Sequence, residues 1–348
     1  VRASQRLGEV KYMERAQAAM EYLLHIQDAD GSWFNQYKRC QPSLEAEGKW
    51  KSPTQTAEVM IALNHLGYRP SRYQAMVRAA EFLLTLQDPA NKAGLDDGLI
   101  GAPTDLTLTP SCKWRWTHDN AFAYQALRAA ALWARKSGDT VRQQRYTVAA
   151  SRILNGINWY LKDPNSAVWH IAVDEQNRPI CLAGLKEGKP NYQICERVQQ
   201  RFYEWINYAP QMLDVPAKGV GNAAVGEWIH NTFVHSKTGA IARVNGLYGS
   251  RLFPGYSFQA SLVWLDLDQR NYYDAAWNWV NTSGLHQKTP DPNGVKGGWI
   301  DWSERSGGQG ECIWRQQPNG LSPCWERFID TSFYAIVSAT GGFDWGAI

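Results

Sequence analysis

The segment Glu21–Trp33 reads EYLLHIQDADGSW, and the segment Glu81–Gly98 reads EFLLTLQDPANKAGLDDG. Each contains an aromatic-Leu-Leu run at helical spacing and continues through Gln-Asp into a turn with Gly, which is a typical stop signal for a helix. Gln27 and Gln87 stand 60 residues apart, a distance that accommodates one helical hairpin with its loops. The two segments therefore predict an internal repeat of helical hairpins.

Helical periodicity continues along the chain and predicts about ten helices in five pairs, with room for a sixth pair in the long loops. Short strands are predicted only at Val168–Val173 and Ala240–Val244, which are too few to build a central sheet. No linker or low-complexity run interrupts the pattern, so we expect residues 1–348 to form a single domain. The predicted helices are Lys11–Gln27, Thr54–Leu66, Tyr73–Gln87, Asp119–Lys136, Thr140–Leu161, Arg201–Leu213, Ala223–Val234, Tyr256–Leu267, Tyr272–Val280 and Asp330–Thr340.

The predicted helices fall into two kinds that alternate. One kind carries many Arg, Gln and Glu, whereas the other is apolar nearly all round, as in AEVMIALNHL, AFAYQALRAAALWA and FQASLVWLDL. A helix that is apolar all round is a buried one, so the second kind forms an inner layer. Repeated hairpins can stack as an open solenoid or close into a ring. The alternation predicts an all-α fold, an α/α toroid of five or six hairpins with long, Trp-rich loops.

Two motifs resemble those of known α/α-toroid families. Gln27–Trp33 (QDADGSW) is similar to the Q-x-x-D/N-G-x-W element that closes outer helices in toroid polysaccharide lyases, glycoside hydrolases and terpene cyclases. Trp116–Leu127 (WTHDNAFAYQAL) is similar to the D-N-A start of an inner helix in toroid mannanases and pectate lyases. The resemblance implies a carbohydrate-active toroid enzyme without assigning it to one family.

Composition excludes several other classes of function. The net charge is +3 and no Lys-Arg block is present, so a focused basic face for nucleic acid is not expected. No apolar run is long enough to cross a membrane. The 17 Trp residues favour a sugar-binding cleft, since a flat indole ring offers apolar area and a hydrogen-bond donor. We expect a monomer that acts on a polysaccharide or oligosaccharide, with Trp in loops at positions 33, 50, 114, 116, 299, 302, 314 and 325.

The six cysteines lie in predicted loops, and their even number predicts disulfides and an oxidising compartment. Cys181–Cys195 and Cys312–Cys324 are the expected local pairs, which leaves Cys40 with Cys112. A secreted or periplasmic location follows, and Val1 is interpreted as the start of a mature or trimmed chain without a signal peptide. The cysteine spacing is not that of a zinc site. No cofactor or metal is expected, apart from a weak calcium signal at Asp96, Asp97 and Asp105.

The starts of the predicted inner helices collect polar residues, among them Thr54, Gln55 and Glu58 at the first start, although helix capping alone explains one residue at each start. Hydrolysis of a glycosidic bond needs one carboxylic acid and one ionised carboxylate. Asp119 at a helix start suits the base or nucleophile, because the helix N-terminus favours its negative charge. Glu204, between Phe202, Tyr203 and Trp205, suits the acid, because apolar surroundings raise a carboxyl pKa. Asp330 is the second choice for either role. The expected substrate-binding residues are Trp116, Asn120, Tyr203, Asn207, Tyr256, Gln259, Arg251, Trp299 and Asp301.

Two alternatives stay open at the level of the sequence. A polysaccharide lyase would cleave a uronic-acid polymer by β-elimination, which needs a base, an acid and a group that neutralises the substrate carboxylate. His118 and Tyr208 are the candidate catalytic groups for that reaction, with further side chains at Asn120, His230, Asn231, Tyr248 and Arg251. A non-catalytic glycan-binding toroid would have the aromatic cleft without the acid and base.

Overall fold

The computed structural model contains eight α-helices among the residues that it describes. These residues are 8–34, 37–38, 45–46, 51–87, 97–101, 114–163, 166, 169–186, 189–194, 209–211, 213, 215–216, 222–236, 239–241, 251–252, 254–282, 303–304, 316–317 and 320–321. The helices are α1 (Val10–His25), α2 (Pro53–Leu66), α3 (Pro70–Leu86), α4 (Thr117–Ser137), α5 (Thr140–Gly156), α6 (Asn222–Phe233), α7 (Pro254–Asp266) and α8 (Arg270–Thr282). A π-helical turn, Ile157–Leu161, continues α5. All eight coincide with predicted helices to within a few residues at each end.

The strands are short except for one hairpin. A four-stranded antiparallel sheet has the order β3-β4-β5-β6, and three further pairs are β1 with β2, β7 with β8 and β9 with β10. The sheet corrects the sequence analysis, because the hairpin of β5 and β6 was not predicted. Among the described residues of the first predicted strand, Ala172–Val173 forms a strand, and among those of the second, Ile241 forms a bridge with Val234. The strands are Tyr37–Lys38, Glu45–Ala46, Arg115–Trp116, Ala172–Val173, Pro179–Lys186, Lys189–Ile194, Arg251–Leu252, Ser303–Glu304, Gln316–Gln317 and Gly320–Leu321, numbered β1 to β10 in that order.

Helices that are buried on most sides alternate with helices that bury one face. Most side chains of α2 and α4 are buried, and the two helices pack against each other. In α1 only Met20 is buried, and α5 buries one face through residues such as Tyr146, Ala149 and Ile153. The prediction of an apolar inner layer and a polar outer layer is therefore confirmed for these four helices. None of the helices within the described residues has the length and hydropathy of a membrane span.

The outer helices are tied to one another by a repeated contact, which we call a seam. In the first seam the Gln27 side chain donates to the carbonyls of Gly31 (2.9 Å) and Ala75 (3.0 Å), and Ala75 lies on α3. In the second seam the Gln87 side chain donates to the carbonyls of Gly98 (2.7 Å) and Ala149 (3.0 Å), and Ala149 lies on α5. The internal repeat predicted from Gln27 and Gln87 is confirmed by this shared geometry.

A glycine at each seam allows two backbones to approach closely. Gly31 has φ +92°, and a Cβ atom there would lie 2.2 Å from the carbonyl oxygen of Arg78 on α3. Gly98 has φ +72°, and its Cβ would lie 2.7 Å from the carbonyl oxygen of Arg152 on α5. Gly239 repeats the arrangement against α8, at 2.8 Å from the carbonyl oxygen of Ala275. Since any side chain would overlap the facing helix, only glycine fits at these three positions.

The residue two positions after each seam glycine connects the outer layer to an inner helix. The backbone N–H groups of Trp33, Ile100 and Ile241 donate to side-chain oxygens of Thr56 (3.4 Å), Asn120 (2.7 Å) and Ser257 (3.0 Å), respectively. Thr56, Asn120 and Ser257 are each the fourth residue of their helix, α2, α4 and α7. The same contact with the fourth residue of an inner helix therefore occurs three times. We call this common arrangement the shared register.

The structure bears on two expectations about single residues, and it changes the first of them. Trp33, which was expected in a sugar-binding cleft, is 2% exposed, and its indole N–H donates to the Leu23 carbonyl (2.7 Å). The expectation is wrong for this ring, because it is buried in the hydrophobic core beside α1. Cys181 on β5 is buried and disulfide-bonded. The pairs Cys181–Cys195, Cys312–Cys324 and Cys40–Cys112 stay predictions, because the other five cysteines lie outside the described residues.

Candidate functional site

The first turns of the two neighbouring inner helices α2 and α4 meet at a buried carboxylate. Ser52 caps α2 by accepting from the Thr54 N–H at 3.1 Å, and Pro53 occupies the first helical position. The Thr54 hydroxyl donates to Oδ1 of Asp119, the third residue of α4. The Asp119 side chain is 8% exposed. The Asp119 carboxylate therefore lies in the first turn of α4 and accepts a hydrogen bond from the first turn of α2.

The sheet fixes the entry into α4. Strand β3 leads directly into the helix and pairs with β4, so that Trp116 faces Ala172. The buried Arg115 guanidinium lies 3.3 Å from the Asp97 carboxylate and donates to the Asp174 carbonyl at 3.0 Å. Thr117 donates through its N–H to the Ile171 carbonyl (3.1 Å). The strand pairing, the Arg115 contacts and the Thr117 hydrogen bond together fix the position of the backbone that carries Trp116 and His118.

An imidazole and two indole rings stand next to the carboxylate. His118 Nε2 lies 3.1 Å from Asp119 Oδ1. The ring centroids of His118 and Trp116 are 5.9 Å apart, and those of Trp116 and Trp114 are 5.8 Å apart. Trp114 and Trp116 are both partly exposed. They supply flat, amphipathic surfaces beside a polar group, as a sugar ring requires.

Glu58 is a functional candidate to which the sequence analysis gave no catalytic role. It follows Thr54 by one turn on α2, so the two side chains share a face of the helix. Burial, and after it the negative charge of Asp119, raise the pKa of Glu58 from 4.5 to about 7. Glu58 is nevertheless exposed to solvent, so the burial that raises its pKa is crowding by neighbouring protein atoms rather than exclusion from water. Glu58 is therefore an accessible carboxylic acid next to an anionic partner.

We refer to Thr54, Glu58, Trp116, His118 and Asp119 as the inner-helix site. A signal for Glu58 was present in the sequence, because Glu58 is a lone carboxylate in the otherwise apolar segment AEVMIALNHL. The predicted meeting of inner-helix starts is confirmed for α2 and α4 by the contact between Thr54 and Asp119.

Asn120 lies beside the inner-helix site but serves the framework. Its side chain is fully buried, accepts from the Ile100 N–H (2.7 Å) and donates to the carbonyls of Ile100 (3.1 Å) and Trp116 (2.9 Å). This is the fourth position of the shared register, which Thr56 and Ser257 occupy in α2 and α7. The backbone thus uses the hydrogen-bonding groups that were expected to bind substrate.

The shared register also locates two predicted substrate-binding residues of α7. Gln259 is the sixth residue of α7, the position that Glu58 has in α2. Tyr256 is the third residue of α7, the position that Asp119 has in α4. Gln259 is half-buried. The repeat therefore assigns both residues to the same helical positions as the two carboxyl groups.

The remaining predicted site residues cannot be compared with the inner-helix site. Arg251 belongs to β7, which pairs with β8 through Glu304, and only its backbone is described. Glu204, Asp330, Tyr208, Tyr203, Asn207, Trp299 and Asp301 lie outside the described residues, so their roles stay predictions.

The described residues contain no cluster of three or more His, Cys, Asp or Glu side chains suited to a metal ion. Asp97, one of the three residues behind the calcium signal, accepts from the Leu99 N–H (2.8 Å) and pairs with Arg115. Its carboxylate therefore has a structural role in the second seam. Asp96 and Asp105 lie outside the described residues.

No protein-family model and no curated protein matches this chain. Solved structures do match it. A sugar epimerase from a ruminal bacterium is 10% identical with a TM-score of 0.59, and the match covers 99% of this chain and 85% of that chain. A bacterial glucoamylase complexed with acarbose is 14% identical with a TM-score of 0.59, and the match covers 97% of this chain and 47% of that chain. A D-mannose isomerase is 12% identical with a TM-score of 0.53, and the match covers 97% of this chain and 83% of that chain.

These likenesses establish the fold. The chain is mostly helical and shares the α/α-toroid arrangement of the epimerase, the isomerase and the glucoamylase. The resemblance to toroid enzymes that act on carbohydrates, drawn from the motifs at Gln27 and Trp116, agrees with this fold.

Proposed function

We propose that this protein is a carbohydrate-active enzyme that hydrolyses glycosidic bonds of a polysaccharide or oligosaccharide. The observation that carries the proposal is the pairing of Glu58, whose pKa is raised to about 7, with Asp119, which lies at a helix N-terminus and accepts from Thr54. Two carboxyl groups in different protonation states are what glycoside hydrolysis requires. The toroid fold shared with a glucoamylase supports the same class of chemistry.

In this reaction Glu58 is the general acid. Its protonated carboxyl group donates a proton to the glycosidic oxygen as the bond to the anomeric carbon breaks. Asp119 acts on the opposite side, either as a base that takes a proton from the attacking water or as a nucleophile that bonds to the anomeric carbon before water releases the sugar. In both routes one water molecule is added across the bond. Trp116 stacks on the sugar and His118 steadies Asp119 from 3.1 Å.

Glu58 takes the acid role that the sequence analysis gave to Glu204. Glu204 and Asp330 stay candidates for a further carboxyl group, and Tyr256 and Gln259 for contacts with substrate. We also propose the finer features expected from the sequence: a single domain, five or six hairpins, Trp-rich loops at the cleft, disulfides, a monomeric state and a secreted or periplasmic location.

A lyase is the second candidate, and the contact between His118 and Asp119 favours it. An imidazole held by a carboxylate is a suitable base for removing the C5 proton of a uronic acid. Elimination leaves an unsaturated sugar, whereas hydrolysis does not. The two reactions therefore differ in their products on the same substrate.

A panel of neutral and acidic polysaccharides tests the proposal, with reducing ends and absorbance near 235 nm measured together. We expect new reducing ends without new absorbance. Glu58→Gln and Asp119→Asn should each lose about 10²–10⁴-fold in rate, the usual contribution of a general acid or base. Glu14→Gln, which changes an exposed carboxylate of α1, is the matched control and should retain full rate.

Three other results would replace the proposal. New absorbance that disappears with His118→Ala would make the protein a lyase. Binding without cleavage, unchanged in both carboxyl variants, would make it a glycan-binding toroid. Full activity of Glu58→Gln on a hydrolysed substrate would return the acid role to Glu204 or Asp330.

A further inference from the structure

A groove of about 360 Å³ lies between α4 and α5. Sites that bind small molecules usually have volumes of about 300–1,000 Å³, so this groove is large enough to hold a ligand. Its apolar lining includes Ala131 from α4, and Ala150 and Leu154 from α5. None of its described lining residues belongs to the inner-helix site. The groove is therefore a separate feature of the molecule.

The α4 wall of the groove carries two arginines. Arg128 and Arg135 are seven residues apart, so they lie on one face of the helix, two turns and roughly 10 Å apart along its axis. The Arg128 guanidinium lies 5.5 Å from the centre of the Tyr124 ring and donates to Gln125 Oε1 at 3.2 Å. These contacts orient the guanidinium but use only one of its five N–H donors. Arg135 is exposed.

No carboxylate within the described part of the chain forms an ion pair with Arg128 or Arg135. Asp139 pairs with Arg142 at 2.7 Å. Asp119 is sixteen residues before Arg135 on α4, which corresponds to roughly 24 Å along the helix axis. Residues 117–156 contain no other carboxylate side chain. The groove therefore has an excess of positive charge, which attracts an anionic ligand.

The other cationic residues of this hairpin lie outside the groove. Arg145 pairs with Glu81 of α3 at 2.8 Å, and the backbone of Arg152 faces Gly98 at the second seam. Lys136 follows Arg135 on α4 and is exposed, but it does not line the groove. The positive charge inside the groove thus comes from the two arginines of the α4 wall.

The α5 wall offers hydrogen-bonding groups without charge. The Thr147 hydroxyl donates to the Gln143 carbonyl (2.8 Å), and the Ser151 hydroxyl donates to the Thr147 carbonyl (2.9 Å). Because a hydroxyl group has one hydrogen, the Thr147 and Ser151 oxygens can only accept from a ligand. The groove therefore suits a ligand with anionic groups towards α4 and hydroxyl donors towards α5.

An acidic oligosaccharide combines these two properties along an extended chain. Guanidinium groups bind carboxylate and sulfate oxygens through charge-assisted hydrogen bonds, and sugar hydroxyls are donors for the α5 wall. A strand of nucleic acid fits less well, because its bases need accessible aromatic rings on which to stack. Tyr124, the aromatic residue of the described lining, is buried and lies beneath Arg128.

We infer that the groove between α4 and α5 is a second binding site, for an acidic oligosaccharide whose anionic groups contact Arg128 and Arg135. The inference goes beyond the proposed function and does not depend on it, because the groove shares no described residue with the inner-helix site. An acidic chain is held there whether or not the protein cleaves it.

Isothermal titration calorimetry at low ionic strength tests the inference with an oligogalacturonate, which carries carboxylates, and a heparin-derived oligosaccharide, which carries sulfates. The titrations use the Glu58→Gln/Asp119→Asn protein, so that both ligands stay intact. We expect at least one of them to bind. Adding Arg128→Gln or Arg135→Gln should weaken this binding at least about tenfold, since each removes hydrogen bonds between charged groups. Adding Lys136→Gln, which removes the same charge outside the groove, should not change it.

The identity of the bound oligosaccharide distinguishes carboxylate from sulfate recognition, and either supports the inference. An equal loss of affinity in the Lys136→Gln protein would overturn it, because charge alone would then explain the binding. Polyglutamate or inorganic phosphate that binds as tightly as the oligosaccharides would also overturn it, as would binding of neither oligosaccharide. Failure of the proposed function looks different: binding would still depend on both arginines, while the wild-type protein would cleave no polysaccharide.

Discussion

The protonation of Glu58 connects the structure of the inner-helix site to a pH dependence. Its pKa of about 7 means that the acid form is lost as the pH rises through neutrality. Activity that needs this proton should therefore fall above about pH 7 with a slope of one proton. In Glu58→Gln the residual activity should lack this decline. A pH profile of kcat/KM for both proteins measures it, and an identical alkaline limb in the variant would contradict the assignment.

The same carboxyl group makes a prediction for stability. Because its pKa is raised from 4.5 to about 7, the folded protein holds this proton at pH values where the unfolded chain releases it. The stabilising contribution is complete below the unfolded pKa and is lost as the pH rises through the folded pKa. The melting temperature of Glu58→Gln minus that of the wild type should therefore increase as the pH rises from about 5 to about 8. Thermal unfolding across this range checks the sign, and Glu14→Gln should show no such trend.

Thr54 positions Asp119 through one hydrogen bond, and its removal should be measurable. Thr54→Val keeps the shape of the side chain but leaves the buried carboxylate without the hydroxyl. We expect the free energy of unfolding to fall by about 1.5–3 kcal/mol, the usual contribution of a hydrogen bond to a charged group. Thr54→Ser retains the donor and should lose less. Urea unfolding compares the two variants, and equal losses would show that packing rather than the hydroxyl matters.

At the scale of elements, the seams explain why glycine is required at three turns. Gly31→Ala would place a methyl group 2.2 Å from the Arg78 carbonyl, whereas Gly138→Ala, at φ +78°, would meet no atom within 4 Å. Both variants strain a left-handed backbone, but only the first also pushes α1 and α3 apart. We expect Gly31→Ala to lose about 1–3 kcal/mol more in the free energy of unfolding than Gly138→Ala. Equal losses in chemical denaturation would mean that the seam yields without strain.

The helices and the internal repeat could be predicted from the sequence because local signals agree with the fold. The repeated Gln-Asp and Gly turns mark places where a helix must end and its last side chain must find a carbonyl. The hairpin of β5 and β6 was missed because PICLAGLK contains Gly and Pro, and its register shifts between Leu182 and Gly184. A bulge breaks the alternation on which strand prediction depends.

The inner-helix site was predicted only in part, because some of its residues lie in one local motif whereas Glu58 depends on a residue that is distant in the chain. Asp119 and His118 follow a helix-start motif that is visible in one stretch of sequence. Glu58 is visible in the sequence as a polar residue near an inner-helix start, but its raised pKa depends on burial and on the charge of Asp119, which is far away in the chain, and spacing alone reveals neither. Asn120 shows the converse case, since the motif contains it but the backbone of Ile100 occupies its amide.

For the whole molecule, we predict at least two disulfides, most readily Cys181–Cys195 and Cys312–Cys324. Closing a loop of about 15 residues stabilises a chain by about 3 kcal/mol in the chain-entropy model. Alkylation of the native protein without reductant should modify at most two thiols, and mapping by peptide mass should identify the pairs. Modification of three or more thiols would refute the prediction, and a different partner for the disulfide-bonded Cys181 would change only the pairing.

The spacing of the seams also sets an order of events during protein synthesis. The first seam joins residues 48 positions apart and the second joins residues 62 positions apart, and each needs only the next outer helix. Ala75 and Ala149 are 74 residues apart, so at about 5–20 residues per second the second seam can close roughly 4–15 s after the first. Helices α2 and α4 have both emerged from the ribosome by then. The contact between Thr54 and Asp119 can therefore form while the C-terminal half of the chain is still being translated.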